Sequence, residues 1–266
     1  MKIYMSADIE GITGVTHWDE TELSKAESVV PREQMTAEVV AACEGAIQAG
    51  ATEIWLQDAH GTGRNIIAAR LPQEVRLIRG WSGHPFEMLQ ELDDTFQGVI
   101  LIGYHSRAGA DTNPLAHTMN TSIVHITIND RCASEFLIHA YVAAYLKVPV
   151  LFVSGDQGLC DEVAQLNPHI GTVAVKRGIG EATVNLHPAL AVARIREGVA
   201  QAMAGDLAQC QVPLPARFSM DIRYRNHIKA YIHSFFPGAR QKDPHTVQFD
   251  NESYYEVMRF LLFAPS

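Results

Sequence analysis

Short apolar runs, separated by stretches with helical spacing, set the pattern of this chain. "KIYMSA" (2–7), "EIWLQD" (53–58), "VRLIRG" (75–80), "GVILIGY" (98–104) and "VPVLFVSG" (148–155) each read as a buried strand. Between them, "REQMTAEVVAACEGAIQAG" brings Met35, Val39, Ala42, Cys43 and Ala46 to one helical face, with Gly50 as its stop. "HPFEMLQEL" (84–92), "ASEFLIHAYVAAYL" (133–146) and "PALAVARIREGVAQAMAG" (188–205) predict further helices. Strands alternating with helices predict an α/β fold, a mostly parallel sheet flanked by helices.

The segment "TSIVHITIND" (121–130) alternates apolar and polar positions and predicts an antiparallel strand. Near residue 210 the texture changes. "PLPARFSMDIRY" opens on prolines and runs into a strand, "NHIKAYIHSFF" reads as a helix, "HTVQFD" as a strand and "SYYEVMRFLLF" as a helix. The expected organisation is an α/β catalytic domain over 1–208, with a smaller C-terminal α+β unit over 209–266 packed on it. Residues 11–31 are polar and irregular and predict a long loop beyond the first strand. No internal repeat or low-complexity segment interrupts the pattern.

Composition narrows the function. At 266 residues and 47% hydrophobic, the chain can bury a large core. A net charge of −9 without Lys/Arg clusters argues against a nucleic-acid partner. No apolar run approaches the ~18 residues of a membrane span, and the first residues do not read as a signal peptide. Cys43, Cys132, Cys160 and Cys210 are scattered without a C-x-x-C spacing. The expectation is therefore reduced thiols in a cytoplasmic protein, not a disulfide framework or a thiolate zinc site.

In open parallel sheets, ligands gather outside the carboxyl ends of the strands. Here the first strand delivers Asp8 and Glu10, the second Asp58 and His60, the fourth apolar run His105, and "VPVLFVSGD" Asp156. Singly, each has a plain structural role: a cap, a turn, a core histidine. Jointly, carboxylates and imidazoles at several strand ends form the ligand set of a hydrolytic zinc site. Asp8 and Glu10 share one side of an extended chain, and a carboxylate can bridge two metals ~3.5–4 Å apart. His117 follows in a loop, and Glu135 opens a helix with His139 one turn on. The remaining histidines show no convergent partners and read as structural or surface residues.

"SADIEG", "DAHG", "LIGYHSRAG", "LAHTMN" and "SEF", in this order and spacing, resemble the zinc-dependent D-aminopeptidases of the dipeptide-operon (DppA) type. "VPVLFVSGD" and "VAVKRGIGEATVNLHP" extend the likeness to about residue 190. The resemblance implies that Asp8 bridges two zinc ions per subunit, with Glu10 and His105 joining it on one and His60 and Glu135 on the other. It makes His117 the catalytic histidine. It also implies a homodecamer of two stacked five-membered rings with active sites facing an inner channel. The chain departs from the family at "FLIH" after Glu135 and at "NDRCASE", both on the substrate side, which bears on substrate choice more than on metal binding.

The expected function is removal of N-terminal residues, D-Ala among them, from short peptides or amides by metal-activated water. His117 would act as general acid/base or would stabilise the oxyanion. Asp58 would orient a ligand histidine or build a turn. The alternatives are another dinuclear metallohydrolase acting on amides or esters, and a non-catalytic small-molecule binding module. D-selectivity comes from the resemblance alone. A nucleotide site is not expected, because no G-x-G-x-x-G follows the first strand.

Overall fold

The computed structural model describes residues 1–264. In chain order its strands are β1 (Lys2–Ala7), β2 (Glu53–Asp58), β3 (Val75–Ile78), β4 (Gly98–Tyr104), β5 (Ile123–Ile128), β6 (Arg131–Cys132), β7 (Val150–Asp156), β8 (Gly171–Ile179), β9 (Ala182–Asn185), β10 (Phe218–Tyr224), β11 (Ala239–Asp243) and β12 (Thr246–Asn251). The helices are α1 (Val29–Gln48), α2 (Glu135–Tyr145), α3 (Gln157–Leu166), α4 (Pro188–Ala204), α5 (His227–His233) and α6 (Tyr254–Phe263).

The first sheet runs β3-β2-β1-β4-β7-β8-β9, parallel except for the β8–β9 hairpin. Strands β4 and β7 are buried along their whole length, as their unbroken apolar runs require of strands covered on both faces. Helices α1 and α4 pack on each other and against this sheet. After β1 the chain steps outward to β2 and β3, then returns to place β4 on the other side of β1. The topological switch point therefore lies between β1 and β4, where a crevice opens at the strands' carboxyl ends.

The second sheet, β11-β12-β10-β5-β6, is antiparallel. It takes β5 and β6 from the loop between β4 and α2 and joins them to C-terminal strands, so both sheets draw on the first 208 residues. Helix α2 packs on β4 and on α6, and α6 packs on β10 and β12, so α2 ties the two sheets together. The core is continuous across both.

The helix expected over 84–92 does not form. One 3-10 turn, Glu87–Leu89, takes its place, and Glu87 and Glu91 adopt positive φ. Tertiary hydrogen bonds outweigh local propensity there. Gln90 Nε2 donates to Gln57 Oε1 (2.7 Å) and the Gly80 carbonyl (2.8 Å), while the Tyr4 hydroxyl donates to the Gln90 carbonyl. Helix α3 and strands β6, β8, β9 and β11 went without an expected element. No helix among the described residues is long and apolar enough to cross a membrane.

Candidate metal centre

Asp8 and Glu10 follow β1 directly, His60 lies two residues past β2, His105 is the first residue after β4, His117 sits in the loop leading to β5, and Glu135 opens α2. All six meet at the switch point. Asp8, Glu10, His60, His117 and Glu135 line a cavity of about 1220 Å³, with His105 buried beneath them.

The backbone that carries Asp8 and Glu10 is fixed from several sides. Asp8 N donates to Ile102 O (2.9 Å) and Gly11 N to Gly103 O (2.8 Å), which staples the loop to β4. The Glu10 carbonyl accepts from the buried Lys176 ammonium on β8 and from Asn113 Nδ2 (3.1 Å). Lys176 Nζ also donates to Val15 O at 2.5 Å. Ser134 caps α2 by accepting from Leu137 N (3.1 Å), so the helix starts where it must to present Glu135.

Asp8 offers its two oxygens to two different groups. Oδ1 lies 3.2 Å from His60 Nδ1, which is also 3.1 Å from Glu10 Oε2. Oδ2 lies 3.5 Å from His105 Nε2, which is 3.4 Å from Glu135 Oε2. His117 Nε2 is 3.7 Å from Glu135 Oε1, and the His117 ring stacks on His105 with centroids 4.3 Å apart. Asp8, Glu10 and His105 hold ligand atoms within 4.8 Å of one another, as do His105, His117 and Glu135. The shortest contacts pair His60 with Glu10 and His105 with Glu135, while the Asp8, Glu10 and His105 cluster has the membership of one ligand set that the resemblance implies.

Each imidazole is oriented from behind by a backbone carbonyl. His60 Nε2 meets Thr21 O (3.1 Å), His105 Nδ1 meets Ser106 O (2.9 Å) and His117 Nδ1 meets Leu115 O (2.9 Å). A carbonyl only accepts, so these nitrogens carry protons and donate, and the opposite nitrogens face the centre. Glu10 Oε2 and His105 Nε2 are buried with no hydrogen-bond partner among the described residues.

The electrostatics follow from crowding ionisable groups out of water. Burial opposes charge on His60 and His105, but the surrounding carboxylates outweigh it and hold both well above the ordinary histidine range. Burial pushes Glu10 and Glu135 upward, yet the neighbouring imidazoles pull Glu10 well below its usual value and Glu135 down to about 2. Asp8 is the exception: burial, with the charge of Glu10 added, raises it.

Other expected residues lie apart. Asp58 has no hydrogen bond to a histidine ring among the described residues. It accepts from Asn65 N (2.6 Å), Asn65 Nδ2 (2.9 Å) and Ile66 N (2.7 Å), and so builds the turn that carries His60. Asp156 accepts from Ser106 N (2.7 Å) and Asn113 Nδ2 (2.9 Å), bracing the loop after His105. His139 is fully buried in α2, its Nδ1 2.7 Å from the Glu135 carbonyl, and burial lowers it to about 4. Sequence reasoning passed over Trp18, whose ring meets His117 edge-on at 5.2 Å, and His84 and Glu87, which line the cavity. It also passed over Lys176, whose signal was a lone lysine in an otherwise apolar strand pattern, "VAVKRG".

Residues 1–263 match the peptidase family M55, described as D-aminopeptidase. A D-aminopeptidase of Bacillus subtilis (strain 168) is 34% identical over 264 residues, which span 98% of this chain and 96% of that protein. The solved structure of the Zn-dependent D-aminopeptidase DppA from Bacillus subtilis, described as a self-compartmentalizing protease, superposes with a TM-score of 0.92 at 34% identity, covering 100% of this chain and 97% of that one. With sequence and fold matched from end to end, this chain belongs to the peptidase family M55, the D-aminopeptidases.

Proposed function

We infer that this chain is a zinc-dependent D-aminopeptidase, that it releases N-terminal residues, D-alanine among them, from short peptides or amides, and that two zinc ions are held per subunit. One observation carries this reading: Asp8 turns one oxygen to His60 and the other to His105, and Glu10 and Glu135 stand beside those two rings. That is the geometry of a bridging carboxylate. The donor set suits zinc, being carboxylates and imidazoles without thiolate. Glu10 Oε2 and His105 Nε2, buried beside opposite charges but without a hydrogen bond among the described residues, are the atoms that a cation would satisfy. Asp8, Glu10, His60, His105 and Glu135 would hold the metals, Asp8 shared between them, Glu10 and His105 on one and His60 and Glu135 on the other; the mutual reach of Asp8, Glu10 and His105 supports the first set.

Bound zinc would supply Lewis acidity towards the scissile carbonyl and an attacking water. The remaining work falls to the protein. The Leu115 carbonyl holds His117 in one tautomer, leaving Nε2 to take a proton from the water and return it to the departing amine. Stacking on His105 and the edge of Trp18 fix the ring in that pose. Asp8→Ala should lose zinc by metal analysis. His117→Ala should keep its zinc but lose at least ~100-fold in turnover of D-alanyl p-nitroanilide. Full activity in metal-free His117→Ala protein would end the proposal, and matched L- and D-aminoacyl amides assayed beside each other test the stereochemistry.

The reading includes a homo-oligomer, a decamer of two pentameric rings, in a cytoplasmic setting. Support for self-association comes from α5 and its continuation, where Ile228, Tyr231, Ile232 and Phe235 present apolar side chains to solvent. This face begins just after Arg225, which lines the active-site cavity, so a neighbouring subunit seated there would help enclose the site. The unpaired state of all four thiols fits a reducing compartment.

A further inference from the structure

Glu87 stands on the wall of the same cavity, and the centre described above makes no use of it. Its φ is +46°, in the left-handed region, which costs a residue with a Cβ about 1 kcal/mol or more. Its Oε2 is buried and has no hydrogen-bond partner among the described residues. Burial, with the charge of Glu135 added, raises its carboxyl to about 8. A strained backbone therefore holds an unpaired carboxyl at the edge of an acidic centre. For folding this is unfavourable twice over, in conformation and in desolvation. The arrangement becomes favourable when a positively charged donor enters the cavity.

An aminopeptidase substrate brings such a donor, because its free α-ammonium lies one carbon from the scissile carbonyl. We propose that Glu87 is a specificity residue that accepts the N-terminal ammonium of the substrate. The assignment rests on the aminopeptidase reading of the site. Glu87 lines the cavity, so with a small turn of its side chain the ammonium supplies N–H donors to its carboxylate, and the ammonium's charge favours the ionised form. A peptide with an acylated N-terminus brings neither, leaves the buried oxygen unpaired and is rejected for that reason. Glu87 would thus confine the enzyme to free N-termini while His117 and the metal ligands carry the chemistry.

The test uses the zinc-loaded full chain with Glu87→Gln and Glu87→Asp, each checked for zinc content and melting temperature. With D-alanyl p-nitroanilide, Glu87→Gln should raise KM roughly tenfold or more, with the loss falling on KM rather than kcat, and Glu87→Asp should recover part of it. Discrimination against the N-acetyl substrate should narrow in Glu87→Gln by the same factor. Calorimetric titration with D-alaninol, an amine with no scissile bond, should show binding to wild type that weakens roughly tenfold in Glu87→Gln. Equal affinity for D-alaninol in wild type and Glu87→Gln, or no binding to either, overturns the assignment. This arm decides Glu87 whether or not the enzyme turns over. Wild-type protein that is zinc-replete and hydrolyses neither D- nor L-aminoacyl amides would instead count against the aminopeptidase reading.

Discussion

Glu38 shows how a buried residue outside the six-residue centre still bears on it. Its Oε1 accepts from Thr13 N (3.1 Å) and Gln34 Nε2 (3.0 Å), pinning the loop beyond Glu10 to α1, while its Oε2 has no partner among the described residues. Burial raises its carboxyl from 4.5 to about 7, against the opposing pull of those donors and of Lys176. A raised carboxyl binds its proton more tightly in the folded chain. Its contribution is therefore fully present below pH 4.5 and is lost as pH rises towards about 7. Glu38→Gln removes this dependence, so between pH 4.5 and 8 the variant should gain on wild type by up to roughly 3 kcal/mol. Denaturant melts of both proteins at the two pH values check it, and parallel pH profiles would show that Glu38 does not titrate as its burial requires. The residue types of the centre were legible in the sequence because ligand chemistry admits few side chains. Asp58 and Asp156 carry the same chemistry at the same strand ends, and nothing in their types announced that they brace loops. Only their donors, Asn65 and Ile66 for one, Ser106 and Asn113 for the other, decide it.

At the scale of elements, the approach of the β1 loop to β4 depends on missing side chains. Gly103 has φ +69°, and a Cβ there would collide with the Asp8 carbonyl and the Ile12 side chain. Gly103→Ala should destabilise the fold by roughly 1–3 kcal/mol and displace Asp8, weakening zinc binding together with the melting temperature. Thermal melts with a chelator-competition titration measure both, and native zinc affinity in a destabilised variant would separate the glycine from the centre. The buried strands were readable from their apolar runs, because the hydrophobic pattern acts over a few neighbouring residues. The 84–92 segment was not. Its local spacing favours a helix, but Tyr4, Gln57 and Gly80 capture Gln90, and Tyr4 and Gln57 lie 86 and 33 residues away along the chain. The resulting turn is what places Glu87 on the cavity wall.

At the scale of the whole molecule, the apolar face of α5 should govern assembly. Phe235 is 70% exposed beside Ile232 and Tyr231, and an acidic side chain there would have to be desolvated in any interface. Phe235→Asp should lower the particle mass by light scattering while leaving the circular dichroism spectrum intact. Unchanged mass would place the contact elsewhere. The sequence by itself determined the α/β class and supplied the residue types of the candidate site, since strand periodicity, helix periodicity and ligand types are properties of single stretches of chain. It also carried the family resemblance, because ordered motifs survive as local strings. Only the tertiary structure decided that β4 lies beside β1 and opens the crevice between them, that β5 pairs with β10, that Asp8 meets both His60 and His105, and that Lys176 reaches the Glu10 carbonyl. Each of these is a contact between groups remote in sequence, and its energy depends on where the rest of the chain has already folded.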